Sequence, residues 1–216
     1  LRGPAVPRRA AQQGEHLQQA SRTGPVRRHL PGQDLLGCLG AVPDRPRSKQ
    51  EGPGHGGGGA APVPHAPFRV PGLLPEGWDQ SKRNVVIFNS SEDEFAAVGG
   101  EFDETVYQSQ TDAIARMCNA LRNEPAIRIC LRIHPNLDGV RWSFLVKLLE
   151  LGKLYPNVVV VPPESPISTY ALLEACDVAV SFGSTIGIEA AYWGKPSILV
   201  GRCAYERTGS VYVPSS

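Results

Sequence analysis

Apolar runs and amphipathic stretches alternate along this chain from about residue 82 onward. Asn84 to Phe88 (NVVIF) is a short apolar run, β-branched in part, that opens into Asn89-Ser90-Ser91. Such a run predicts a buried strand ending in a polar loop. Over Thr111 to Asn123, the residues Ile114, Met117, Cys118 and Leu121 recur at helical spacing. Methionine and cysteine are then core residues of a helix that ends at Pro125. Ile127 to Ile133 (IRICLRI) predicts a second strand, and it finishes at His134-Pro135 because proline cannot extend a central strand. Trp142 to Tyr155 carries Phe144, Leu145, Leu148, Leu149 and Leu151 on or near one face and predicts a second helix. Asn157 to Val161 is nearly all valine and stops at Pro162-Pro163, which predicts a strand buried on both faces. Ser168 or Thr169 opens a third helix, and Asp177 begins a fourth strand that runs into Gly183-Ser184-Thr185. A short helical pattern then closes at Gly194, and Pro196 to Val200 reads as a fifth strand.

This order, β-α-β-α-β-α-β-α-β, predicts an α/β fold: an open parallel Rossmann-like sheet with helices on both faces. Ser90 and Ser91, His134, Pro162 to Glu164, the stretch from Gly183 to Glu189, and Gly201 all fall at or near strand carboxyl ends. Ligands sit at that edge of an open α/β sheet. No Gly-x-Gly-x-x-Gly follows a strand and no G-x-x-x-x-G-K-[ST] is present. A nicotinamide dinucleotide fold is therefore not supported, and the chain is not a P-loop nucleotidase.

Ser181 to Gly201 (SFGSTIGIEAAYWGKPSILVG) is the stretch around which these elements are organised. A small-residue turn feeding a helix presents backbone N–H groups to an anion. Ser184 is the expected N-cap, and Gly183 and Gly187 would let a ligand approach the backbone. Thr185 and Glu189 are four apart and share a helix face, beside an apolar stripe of Ile186, Ala190 and Trp193. A nucleotide suits this spacing, with its phosphate on the N–H groups and its ribose on the carboxylate. The plainer account has Glu189 complementing the helix dipole, but it sits beyond the first turn. After the first strand, Ser91-Glu92-Asp93-Glu94 reads equally as a ligand-facing loop or as a capping box.

Residues 1–80 have a different character. Pro and Gly make up about a third of them, and Gly56 to Gly59 is an unbroken glycine run. A segment like this buries too little apolar surface to offset its ordering entropy. The expectation is a disordered or non-native segment, 1–80, ahead of a domain at 82–216. Leu35, Leu36 and Leu39 are the exception and could form a helical turn. The chain begins at Leu1 and its only methionine is Met117, which suggests a fragment or a region fused or translated out of frame; a disordered basic tail is the alternative. The tail from Arg202 to Ser216 lacks an end signal, so the domain is expected to be cut short.

The net charge of +1 divides into a basic excess in 1–80 and a slight acidic one in 81–216. No compact Lys/Arg cluster with interleaved aromatics is present, so no nucleic-acid partner is expected. The five cysteines are widely spaced without a C-x-x-C, which argues against a metal or disulfide framework and for reduced cytosolic thiols. No secretory pattern opens the chain and no apolar run is long enough to span a bilayer. Cytoplasmic placement is the expectation, and peripheral association with the inner membrane face stays open.

Arg132-Ile133-His134-Pro135, the run Gly183-Ser184-Thr185-Ile186-Gly187-Ile188-Glu189-Ala190-Ala191, and Gly194-Lys195-Pro196 resemble the carboxyl-terminal half of GT-B glycosyltransferases. The nearest resemblance is to the bacterial capsule polysaccharide biosynthesis family, whose members include enzymes transferring Kdo-type sugars from CMP-linked donors. Asn89 to Phe95 fits the first strand-loop of that half, and the likeness covers roughly residues 82–216. The His-Pro and Ser-Thr pairs are also similar to the nucleotide-contacting motifs of bacterial sialyltransferases. The resemblance implies a nucleotide-sugar donor and a carbohydrate acceptor as partners, no cofactor and no metal. It implies that His134 is the catalytic residue, stabilising the leaving phosphate. Ser184 and Thr185 would bind that phosphate and Glu189 the ribose, with Ser90, Ser91, Arg132, Gly183 and Gly187 completing the nucleotide-sugar site. The plainer role for His134 is a strand-end histidine bonded to a neighbouring loop. A GT-B enzyme also has an amino-terminal acceptor domain that residues 1–80 do not resemble, so the chain is expected to hold a donor-binding half that is inactive alone. Two other functions fit less well: a non-hydrolysing UDP-N-acetylglucosamine 2-epimerase, which shares the architecture, and a non-catalytic α/β interaction module.

Overall fold

The computed structural model describes residues 35–42, 70, 72–91, 107 and 109–214. Five parallel strands form one sheet: β1 (Arg83–Phe88), β2 (Ile127–Arg132), β3 (Val158–Val161), β4 (Val178–Ser181) and β5 (Ser197–Leu199), in the order β3-β2-β1-β4-β5. This is the doubly wound order, in which the chain works outward from β1 to β3 and then crosses to β4 on the other side of β1. The helices are α1 (Leu35–Ala41), α2 (Gln110–Ala120), α3 (Ser143–Leu154), α4 (Thr169–Ala175) and α5 (Ile186–Tyr192). The α/β, parallel, Rossmann-like class read from the alternation is the observed one.

The two faces of the sheet have separate cores, as period-two strands require. Val85, Ile87, Ile129, Leu131, Val178 and Val180 point to the face covered by α1, α2 and α3. Val86, Phe88, Cys130, Val161 and Ala179 point to the other, covered by α4 and α5. Met117 and Cys118 are buried under α2, and Ile186 and Ala190 under α5 with Trp193 packed alongside. Burial pushes the thiols of Cys118 and Cys130 up to about 12, so both stay protonated and act as small apolar residues. No disulfide forms among the described cysteines.

One feature differs from the sequence expectation and two extend it. The valines of β3 are not uniformly buried, because β3 is an edge strand and Val159 and Val160 are only half covered. The turn expected at Leu35 is a helix, and Cys38, Leu39 and Val42 enter the core. Arg83 secures it by donating to the Val42 carbonyl at 2.7 Å. Beyond β5, Tyr212 exchanges hydrogen bonds with Leu199 and Ser197 at 2.8 Å each, so the tail pairs with the last strand.

Candidate functional site

The strand register determines which residues share the carboxyl edge. Phe88 is level with Arg132 on one side and Ser181 on the other. Two residues beyond that row stand Ser90, His134 and Gly183, on three adjacent strand ends. Parallel neighbours are about 4.8 Å apart, so the loops after β2 and β4 face each other across β1 at roughly 10 Å. The chain reverses its direction of winding here, the switch point at which open α/β sheets form a ligand crevice. The start of β1 is latched to β4 as well: the Asn84 N–H donates to the Asp177 carboxylate at 2.7 Å, and the Asp177 N–H to the Asn84 carbonyl at 2.9 Å.

Asn89 holds the first two loops together. Its side chain is buried, and its Oδ1 accepts the His134 N–H at 2.8 Å. This bond fixes the backbone from which the imidazole projects. His134 then opens a 3-10 turn, Pro135–Leu137, and its Nδ1 accepts the Asn136 N–H at 3.2 Å. With Nδ1 accepting, the neutral ring carries its proton on Nε2 and presents a donor there. Ser90 and Ser91 are buried, and Ser90 is bracketed by Gln110, whose Oε1 accepts the Ser90 N–H at 3.0 Å. The carboxylates Glu92, Asp93 and Glu94 lie outside the described residues.

Across the crevice, Gly183 has φ 72, a left-handed conformation that turns the chain sharply off β4 and is natural only to glycine. Ser184 is partly and Thr185 largely exposed. The N-cap of α5 is Thr185, one residue beyond the expected Ser184, whose carbonyl accepts the Gly187 N–H at 3.1 Å. Thr185 is itself helical in φ and ψ and makes no side-chain cap bond. Glu189 lies within the first turn of α5 rather than beyond it, since the helix starts only at Ile186, so complementing the helix dipole is open to it as well; it is half-buried and accepts a hydrogen bond from the Tyr170 hydroxyl. The Tyr170 ring stacks on Trp193 with centroids 5.7 Å apart.

Two of the expected site residues also make contacts that hold the fold together. Arg132 is only 1% exposed, and its Nη1 donates to the Pro162 carbonyl, which ties the end of β2 to the loop after β3. Gly187 faces inward rather than toward the crevice. A Cβ there would fall well inside contact distance of the Ser181 Oγ and the Tyr205 hydroxyl, so packing requires the glycine. Lys195 is likewise structural: 7% exposed, it donates to the Glu174 and Cys176 carbonyls, the latter at 2.9 Å, and caps the end of α4. Tyr205 carried no role in the sequence. It reaches the turn from 21 residues away, donating to the Ser184 carbonyl, and no local pattern marks so distant a contact.

Among the described residues no cluster of three or more potential metal ligands occurs, and no helix is long and apolar enough to cross a membrane.

Residues 83–212 match the capsule polysaccharide biosynthesis protein family. Among solved structures, the chain is similar to a KpsC β-Kdo 2,4 transferase from Thermosulfurimonas dismutans, with 20% identity over 65% of this chain and 40% of that one, at a TM-score of 0.47. The β-Kdo 2,7 transferase of the same organism's KpsC gives 21% identity over 61% of this chain and 38% of that one, at 0.41. A UDP-GlcNAc 2-epimerase from Neisseria meningitidis gives 14% identity over 61% and 30%, at 0.40. This chain thus spans well under half the length of each. No curated protein matches the chain.

Proposed function

The chain belongs to the capsule polysaccharide biosynthesis protein family, and from that premise we propose that residues 82–216 form the donor-binding half of a glycosyltransferase of capsule or surface-polysaccharide synthesis. The donor is a nucleotide-activated sugar, CMP-linked, and the acceptor a carbohydrate. The observation that carries this reading is the level placement of Ser90, His134 and Gly183 on three adjacent strand ends, with an exposed Thr185 and a half-buried Glu189 following.

In this proposal the donor phosphate lies between the loops after β2 and β4. The His134 Nε2–H donates to it from one side, and the hydroxyls and N–H groups of Ser184 and Thr185 from the other. During transfer the bond from the sugar's anomeric carbon to the phosphate oxygen breaks, and the acceptor hydroxyl forms the new bond. Negative charge grows on the departing phosphate, where donors held in advance lower the barrier. The buried Asn89 supplies that preorganisation by fixing the His134 backbone. Glu189 takes the ribose hydroxyls one helical turn from the phosphate. A separate acceptor-binding half would supply the base that removes the acceptor's proton.

Titration of the full chain with CMP and with UDP, by calorimetry, tests the reading. Saturable CMP binding that Glu189→Ala and His134→Ala both weaken is the expected result. A preference for UDP would move the activity to hexosyl transfer or epimerisation. A folded chain that binds neither nucleotide would overturn the proposal.

A further inference from the structure

We infer that Tyr205 is a positioning residue for the candidate phosphate turn, its hydroxyl fixing the direction in which Ser184 and Thr185 face the crevice. The inference rests on the donor-binding reading above. The Ser184 carbonyl receives two donors, the Tyr205 hydroxyl and the Gly187 N–H at 3.1 Å. A peptide plane bonded twice at its oxygen cannot rotate without breaking both bonds, and the same plane carries the Thr185 N–H on its other side. The orientation of a proposed phosphate donor is therefore set by Tyr205.

The rest of the local structure is arranged around that hydroxyl. Ser181 Oγ lies 3.5 Å from it. Gly187 has no side chain where a Cβ would collide with it. The segment carrying Tyr205 is itself closed: Thr208 donates to the Tyr205 carbonyl from its N–H at 3.1 Å and from its Oγ1 at 2.7 Å, and Arg202 pairs with Glu206 at 2.9 Å. Burial holds the phenol's pKa well above the ordinary tyrosine range, so it remains a donor at physiological pH. A phenylalanine ring would fill the same apolar space, so filling space does not account for the hydroxyl.

The test compares the full-length wild type with Tyr205→Phe. Amide hydrogen exchange is followed in the ligand-free chain, and CMP and UDP are titrated by calorimetry. Exchange at the Gly187 amide, which donates to the Ser184 carbonyl, is expected to accelerate about tenfold, with CMP affinity falling by a similar factor, while amides of β1 and β4 stay as protected as before. A second variant, Ser181→Ala with Gly187→Ala and Tyr205→Phe, removes both hydroxyls and refills their space with a methyl group. It is expected to recover thermal stability toward wild type without recovering affinity. Wild-type affinity in Tyr205→Phe, or affinity regained together with stability in the triple variant, would make Tyr205 a packing residue only and overturn the inference. A wild-type chain that binds neither nucleotide sinks the donor reading itself and the inference with it, and is distinguished because the failure appears before any substitution.

Discussion

Helix α5 is bounded by two small-residue turns, Gly183-Ser184-Thr185 before it and Gly194-Lys195-Pro196 after it, and the two sit in opposite surroundings. Each contains a glycine with positive φ, 72° at Gly183 and 68° at Gly194. Each belongs to the stretch that resembles a glycosyltransferase. Before the helix, Thr185 is exposed at the sheet edge and Ser184 is partly so. After it, Lys195 is buried with its ammonium on the carbonyls of Glu174 and Cys176. A short motif records that the backbone needs a glycine or that a helix end needs a cap. Only burial and partners tell whether it also meets a ligand.

The contrast can be broken most directly at Lys195. Lys195→Met should leave two carbonyls at the end of α4 without their donor and cost about 3 kcal/mol of stability in urea unfolding. Nucleotide affinity of the folded fraction should stay within about twofold, since no ligand contact is lost. A collapse of affinity without loss of stability would reverse the assignment of the two turns. Next in size is Gly187→Ala, which should cost about 2 kcal/mol by overpacking against Ser181 and Tyr205. A thermal melt reads it, and an unaffected melt would mean that the glycine serves an incoming ligand instead.

His134→Ala sharpens the other side of the comparison. It should weaken CMP about tenfold or more, the value of a hydrogen bond to a charged group, with stability changed by less than about 1 kcal/mol. Calorimetry and a urea titration on the same sample separate the two effects. The smallest effect is expected at Tyr170→Phe, which keeps the stack on Trp193 and removes the hydroxyl bonded to Glu189. Affinity should fall about twofold and stability by less than about 0.5 kcal/mol. Burial, and then the bond to Glu189, raises the Tyr170 pKa. A raised folded-state pKa contributes stability below the ordinary tyrosine value and loses it as pH rises through the folded one. Wild type and Tyr170→Phe should therefore show parallel stability profiles from about pH 6 to about pH 9 and diverge only in more alkaline solution.

Periodicity made the strands and helices of this domain legible, because valine runs and helical spacing are local properties. Parallel pairing followed from the alternation, but the position of β1 between β2 and β4 did not, since strand order is a matter of long-range packing. Within the candidate site, His134 and the Ser184 turn could be named because strand ends are visible in a sequence. The tie that Arg132 makes between β2 and the loop after β3 could not be read, as its partner is a carbonyl at Pro162, 30 residues away. Lys195 and Tyr205 were obscure for the same reason: their partners lie 19 to 21 residues off, on other elements. Cys38, Leu39 and Val42 show the reverse, a short apolar turn in a Pro/Gly-rich surrounding that finds a place in the core.

The central position of β1 also matters while the chain is being made. Its neighbour on one side, β2, and β3 beyond it follow within the first part of the domain, whereas the latch to β4 joins Asn84 to a residue 93 positions later. Until that point has left the ribosome, one edge of β1 is unpaired, although Val85, Val86 and Ile87 become wholly buried in the finished protein. An open apolar strand edge is a template for other chains and a target for chaperones. A nascent polypeptide stalled between β3 and β4 is then not simply inactive but prone to aggregate, and the two sides of the crevice come together only after that point has emerged.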